Sequence, residues 1–351
     1  MQFIYRYAHL PAKRKELVIE ANAAAARVHD RLISAGVPGP QMDEYYRARF
    51  YKRDLQNLVG KLRNCTYHVV WAVADSHKAV NDVSLVDHGG GLGLIGLLAK
   101  EMGVGRVIYN DIDPKFVQAA QGIARMAGAE ADQYIVGDVD CLVETLGDDE
   151  IDVLVSYDVL EHIYDLDEFF ATLCSARCCP RVLCMSSGAN MFNPRYLHHV
   201  IPIQRGRELL NCCKRIAIIR DCISDLTEEE LVLLCRKTRL LVRSEIQSVT
   251  KRYLDDKKMV LPQKMGANAY DPFRSNTVDP ETGWWAEHLL NPFYLAEQLR
   301  KYGFTAMIRP GPQDGRSAIL NPLIRIAGAT VSLFFAGFYT VSAVRAHSIQ
   351  H

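Results

Sequence analysis

The hydrophobic and polar positions along this chain change rhythm several times, and each change predicts a different kind of element. Residues 11–35 place Ala and other apolar residues at helical spacing between Pro11 and Gly36, a helix opened by proline and closed by glycine. Residues 42–73 repeat Tyr, Phe, Leu and Val at roughly helical spacing, with Arg47, Arg49, Lys52, Arg53, Lys61 and Arg63 between them. This predicts one long helix or two. From Val83 the pattern shortens. Val83-Ser84-Leu85-Val86 is a brief apolar run, a buried strand by pattern. Asp87-His88-Gly89-Gly90-Gly91-Leu92-Gly93 follows, then a helix carrying Leu94, Ile95, Leu97 and Leu98 that stops near Gly103. A second strand over Arg106–Tyr109 leads into Asn110-Asp111-Ile112-Asp113-Pro114. Further αβ alternation predicts a helix over 115–128 and strands over 133–136, 151–156 and 181–186, with a helix over 166–174 before the last. A parallel sheet with helices on both faces is the natural packing for such a series.

After Ser187 the alternation stops for about 95 residues. Ser224–Asp256 reads as helical, with Thr227 and Glu230 in capping-box positions and one mostly apolar face from Leu231 to Tyr253. A loop over 276–285 ends in Trp284-Trp285 and returns the chain to the sheet before His288. Leu323–Val344 is mostly apolar, with Arg325 its only charge. Its polar Thr, Ser and Tyr positions and the strand-like alternation near its end argue against a membrane span. The expected organisation is a helical N-terminal cap (1–80), a nucleotide-binding core (81–189), a helical lid that selects the substrate (190–285) and a C-terminal completion of the sheet (286–351).

Composition adds little. The 351 residues balance 41 Lys and Arg against 41 Asp and Glu, so nothing global points to nucleic acid. Residues 195–258 are locally basic, with 14 Lys and Arg against 9 Asp and Glu. The ten cysteines show no metal-ligand spacing and read as reduced thiols of a cytoplasmic protein. No metal site is expected.

The chemistry concentrates between Asp87 and Asp111. A strand turning straight into a helix needs residues tolerant of positive φ, and a ligand lying on the backbone needs positions without Cβ. Gly89, Gly91 and Gly93 serve both needs. Asp111 ends the neighbouring strand about 20 residues after Gly91, the spacing at which a carboxylate accepts from ribose hydroxyls. Gly91-Leu92-Gly93-Leu94-Ile95-Gly96 is a literal GxGxxG and suggests NAD or FAD; the overlapping Asp87-x-Gly89-x-Gly91-x-Gly93 suggests S-adenosylmethionine. Asp87 favours the second, because an acid beside the turn repels a pyrophosphate and suits an ammonium and a sulfonium.

Together with Val136-Gly137-Asp138-Val139, the run Asp152 to His162, and Tyr302-Gly303-Phe304, these motifs make the chain resemble the class I (Rossmann-like) S-adenosylmethionine-dependent methyltransferases over roughly 80–190 and 286–345. The resemblance implies a seven-strand doubly wound sheet whose final strand is antiparallel, which with the alternation near the C-terminus assigns Asn321–Phe335 to a helix and Phe338–Arg345 to that strand. It implies that Asp87 anchors the ammonium of S-adenosylmethionine, that Asp111 and Ile112 contact the ribose and its surroundings, and that Asp138 and Val139 meet the adenine. Asp158 would line the same pocket, and S-adenosylhomocysteine would be the product. His162, just after the fourth strand, is the first candidate for a base, and His288 the second. The expected reaction is methyl transfer to an oxygen or nitrogen of a small molecule, anionic if the basic stretch reads the acceptor. A lipid-linked or glycan acceptor and a non-catalytic cofactor-binding partner protein are the alternatives. No integral membrane span is expected; a peripheral membrane contact and a homodimer are left open.

Overall fold

The computed structural model describes residues 14–36, 42–257, 277–283, 285, 287–310, 333–334 and 337–345. The elements, in order, are α1 (Arg14–Ala35), α2 (Glu44–Arg49), a π-turn over Phe50–Asp54, α3 (Leu58–Ser76), β1 (Ser84–His88), α4 (Leu94–Glu101), β2 (Arg106–Asp111), α5 (Pro114–Ala127), β3 (Gln133–Val136), α6 (Val139–Leu146), β4 (Val153–Tyr157), α7 (Leu166–Ser175) and β5 (Val182–Ser187). They continue as α8 (Pro194–Cys222), α9 (Glu228–Lys237), α10 (Arg243–Asp255), α11 (Pro292–Lys301), β6 (Phe304–Pro310) and β7 (Tyr339–Arg345). The chain divides into two compact units. One holds 1–160, 165–188 and 292–351; the other holds 161–164 and 189–291.

The first unit is built on one seven-stranded sheet in the order β3-β2-β1-β4-β5-β7-β6. Strands β1 to β5 run parallel, and β7 is antiparallel to both β5 and β6. This is the Rossmann-like sheet the motifs predict. The central strands are apolar because both faces are covered: Val153, Leu154 and Val155 of β4 and Leu183, Cys184 and Met185 of β5 are fully buried. Helix α3 packs on β4, β5 and β7, and α1 packs on α3, α4 and α5. The order reverses between β1 and β4, so their carboxyl ends form a topological switch point, the place where such sheets bind ligands.

The second unit is helical, with Ile218, Ile219, Leu231, Leu234, Leu241, Ile246, Val249 and Tyr253 forming its core. The helical stretch read over Ser224–Asp256 is two helices, broken between Thr238 and Val242. Arg215 of α8 supplies the reason. It is only 2% exposed, and its guanidinium donates to the carbonyls of Thr238 (3.0 Å), Arg239 (2.9 Å) and Val278 (3.1 Å) and to the Thr277 hydroxyl (2.8 Å). Two carbonyls that would continue an α-helix are turned onto this side chain instead. The capping box is present as read, with the Thr227 hydroxyl accepting from Glu230 N–H at 3.2 Å and the Glu230 carboxylate accepting from Thr227 N–H at 2.9 Å. The helix expected over Asn321–Phe335 falls outside the described residues except for Leu333 and Phe334, which form a turn. Trp284 also lies outside them.

Candidate active site

In the sheet unit, β1 delivers the chain into a turn whose glycines have separate tasks. Gly89 has φ +65°, and a Cβ there would stand 2.5 Å from the Val159 side chain, so the turn can close on the end of β4 only without one. Gly91, at φ +55°, faces open space, with nothing within 4 Å of the position a Cβ would take. Gly91 is therefore where the turn presents no side chain to the open side, the condition a ligand lying on the turn requires.

Asp87 is buried beneath this turn, and its Oδ2 accepts from the Gly96 N–H of α4 at 2.9 Å. Burial pushes its carboxyl up to about 7, against the pull of that hydrogen bond. Asp111 ends β2 and folds toward the same turn, Oδ2 accepting from Gly91 N–H at 2.9 Å and Oδ1 from Asp113 N–H at 3.0 Å. Burial also raises its carboxyl. Each Asp111 oxygen keeps a second lone pair, the capacity ribose hydroxyls would use. The flanks of this acid are apolar and open: Ile112 is 56% exposed and Val136 49%. Asp138 is exposed and caps α6, its Oδ1 accepting from Cys141 N–H at 3.2 Å; Val139 begins that helix half-buried. The carboxyl ends of β1, β2 and β3 thus bring Asp87, Gly89, Gly91, Gly93, Asp111, Ile112, Asp138 and Val139 to one edge of the sheet. Asp158, one residue beyond β4, holds a left-handed φ of +64°, anchored by its N–H to Ser186 O at 2.8 Å. Such a conformation is uncommon outside glycine and concentrates at functional sites.

Several residues at this edge carry no motif. Tyr109 donates to the Gly91 carbonyl at 2.5 Å, and buried His88 meets Asn110 Oδ1 at 2.7 Å. Tyr46 of α2 donates to Asp113 at 2.5 Å. Asn64 and His68 of α3 reach Tyr157 and Ser186 at the ends of β4 and β5. A helical Asn-x-x-x-His spacing was visible, but nothing along the chain said which strands it would meet.

The second unit holds both histidine candidates. His162 Nδ1 lies 3.0 Å from the Trp285 carbonyl. A carbonyl only accepts, so Nδ1 carries the proton and Nε2 presents its lone pair. The Trp285 indole is buried and packs on Tyr164 with ring centres 4.3 Å apart. His288 is buried, and its N–H donates to the Glu161 carbonyl at 3.0 Å. Glu161 and His162 therefore lie beside His288 and Trp285 respectively. Among the described residues no group of His, Cys, Asp and Glu could hold a metal, and no helix is long and apolar enough to cross a membrane.

Comparison with known proteins agrees with this geometry. Residues 86–176 match the family model of a methyltransferase domain. No curated protein matches the chain. Among solved structures, an S-adenosylmethionine-dependent methyltransferase from Mesorhizobium loti is 17% identical, with a TM-score of 0.40 over 77% of this chain and 94% of that one. A magnesium protoporphyrin IX methyltransferase from Synechocystis PCC 6803, solved with bound S-adenosylhomocysteine, is 16% identical, with a TM-score of 0.41 over 94% of this chain and 100% of that one. A methyltransferase from Archaeoglobus fulgidus is 14% identical, with a TM-score of 0.41 over 86% and 100%. At these scores the weight rests on the domain match and the strand order. Together they show that the chain carries the class I, Rossmann-like S-adenosylmethionine-dependent methyltransferase domain.

Proposed function

We propose that this protein transfers the methyl group of S-adenosylmethionine to an oxygen or nitrogen of a small, anionic acceptor in the cytoplasm. The observation that carries the reading is the carboxyl edge of β1 and β2: the turn without a side chain at Gly91 beside the Asp111 carboxylate, flanked by exposed Ile112 and Val136. That edge offers a hydrogen-bonding surface for a ribose and an apolar surface for a purine. Asp87, beneath the turn, supplies the charge that an ammonium would satisfy, directly or through water. Asp138 would receive the adenine amino group, with Val139 beside it, and Asp158 would line the pocket. The basic stretch over 195–258 supports an anionic acceptor, and residues 190–285 are the segment proposed to select it.

Methyl transfer from a sulfonium is an in-line displacement with a good leaving group. The protein's main contribution is to hold the acceptor in line, worth roughly 7–11 kcal/mol when alignment is good. His162 is proposed to take the acceptor's proton at Nε2, because its Nδ1–H is committed to the Trp285 carbonyl. His288 is the second candidate.

Calorimetry with S-adenosylhomocysteine tests the reading. Charge-assisted hydrogen bonds are worth about 1.5–3 kcal/mol, so Asp111→Ala should weaken binding about tenfold or more. Equal affinity in the two proteins refutes the site, and tight binding of NADH in its place restores the dinucleotide reading. A screen of metabolite extracts for a product heavier by one methylene then identifies the acceptor.

A further inference from the structure

Asn64 and His68 stand one turn apart on α3, and both leave that helix for the sheet. His68 is wholly buried. Its Nδ1 lies 2.6 Å from the Asn64 carbonyl and its Nε2 2.6 Å from Ser186 Oγ, which lies 2.6 Å from Thr340 Oγ1. The carbonyl fixes the proton on Nδ1, so Ser186 donates to Nε2 and Thr340 donates to Ser186. Burial lowers the imidazole to about 4, so it stays neutral near neutral pH and the chain of donors keeps one direction. The chain pins α3 to β5 and β7 at their ligand-binding end. So pinned, α3 aims the Asn64 side-chain amide at the Tyr157 hydroxyl, which it meets at 2.9 Å.

Tyr157 is the last residue of β4, immediately before strained Asp158. Its ring packs on His68, with centres 4.8 Å apart, and stacks on Phe338 at 5.3 Å with 30° between the planes. Both Tyr157 and Phe338 are half-buried. Gly188, after β5, leaves the Phe338 ring uncrowded; a Cβ there would approach it to 3.2 Å. The Tyr157 phenol is thus tethered by a helix that is itself held by a buried polar chain, which fixes the orientation of a partly exposed aromatic pair beside Asp158.

We propose that the Tyr157–Phe338 pair, oriented by Asn64 and His68, is the wall on which a planar aromatic methyl acceptor stacks. The inference rests on the methyltransferase reading and narrows its acceptor to an aromatic hydroxyl or amine compound. Offset stacking and the electron-rich ring faces distinguish a planar aromatic from a saturated ring of the same size and charge. Asn64 and His68 are positioning residues in this arrangement.

The test uses the full chain saturated with S-adenosylhomocysteine and two probes, para-hydroxybenzoate and its ring-saturated counterpart, followed by ligand-observed NMR titration. The aromatic probe should bind measurably more tightly than the saturated one. Tyr157→Ala and Phe338→Ala should each weaken it by roughly three- to tenfold. Tyr157→Phe should keep the stacking, and Asn64→Ala should fall between wild type and Tyr157→Ala. Unchanged S-adenosylhomocysteine affinity certifies each variant's fold, and Phe338→Leu replaces Phe338→Ala if the latter loses it. Equal binding of the two probes, binding of neither, or wild-type affinity in Tyr157→Ala and the Phe338 variant would overturn the proposal. Absence of S-adenosylhomocysteine binding in the wild type would instead overturn the methyltransferase reading beneath it.

Discussion

Asp87 is a carboxyl group held out of water with one hydrogen bond, and its acidity follows from that. Burial raises its folded-state value from the ordinary 3.8 to about 7. The native state therefore holds the proton more tightly than the unfolded chain between those values. The resulting stability is full below about pH 4 and is lost as pH rises toward 7, a swing of roughly 4 kcal/mol. A cationic ligand reverses the preference by favouring the carboxylate. S-adenosylhomocysteine should then bind about five- to tenfold more weakly at pH 6 than at pH 7.5, with a proton released on binding. Asp87→Asn should bind weakly at both pH values, while unfolding at higher temperature than wild type at pH 8. Calorimetry in buffers of different ionisation enthalpy reads the proton directly, and a flat wild-type profile removes Asp87 from the ammonium site. His162 makes the other prediction at this scale. His162→Ala should lower kcat at least about 100-fold at neutral pH and leave S-adenosylhomocysteine affinity near wild type. A kcat within a few-fold of wild type assigns the rate to alignment alone.

The β1–α4 turn and the turn after β4 interlock as elements. Val159 fills the space that a side chain at Gly89 would take, so the two turns set each other's position. Gly89→Ala meets two separate penalties: a left-handed φ, worth about 1–2 kcal/mol in an L-residue, and collision with Val159. Adding Val159→Ala should relieve the collision and leave the backbone penalty. The double variant should therefore cost less than the two single substitutions added together, measured by denaturant unfolding. Strictly additive costs would show that the backbone penalty is the whole effect of Gly89→Ala. Motif reading placed the glycines in this turn correctly, but not the valine that makes one of them obligatory. Val159 and Gly89 are 70 residues apart in the chain and meet only because β4 pairs with β1.

At the scale of the molecule, the two units rest on different interactions. The sheet unit buries apolar strands between helices, whereas the helical unit is braced by Arg215, a cation surrounded by carbonyl and hydroxyl oxygens. Replacing that guanidinium with an apolar chain removes four buried hydrogen bonds from a charged donor, worth about 1.5–3 kcal/mol each, although the carbonyls of Thr238 and Arg239 keep the N–H groups of Leu241 and Val278. Arg215→Met should therefore loosen residues 189–291 by several-fold faster amide exchange, while exchange in β1, β4 and β5 stays near wild type. Equal loosening of both units would show that they unfold as one.

The local pattern along the chain determined the strands, the glycine turn and the acids at the strand ends, because period, turn chemistry and burial act over a few neighbouring residues; the antiparallel direction of β7 was implied only by the family resemblance. Tertiary packing decided the rest. The helix break at Thr238–Val242 comes from Arg215, more than twenty residues earlier. The tautomer of His162 depends on a carbonyl 123 positions away. The wall at Tyr157 depends on Asn64, 93 positions before it, and on Phe338 beyond β6. Each is a side chain reaching a backbone or ring brought near by the sheet order, and periodicity carries no record of which distant partner a polar side chain will find.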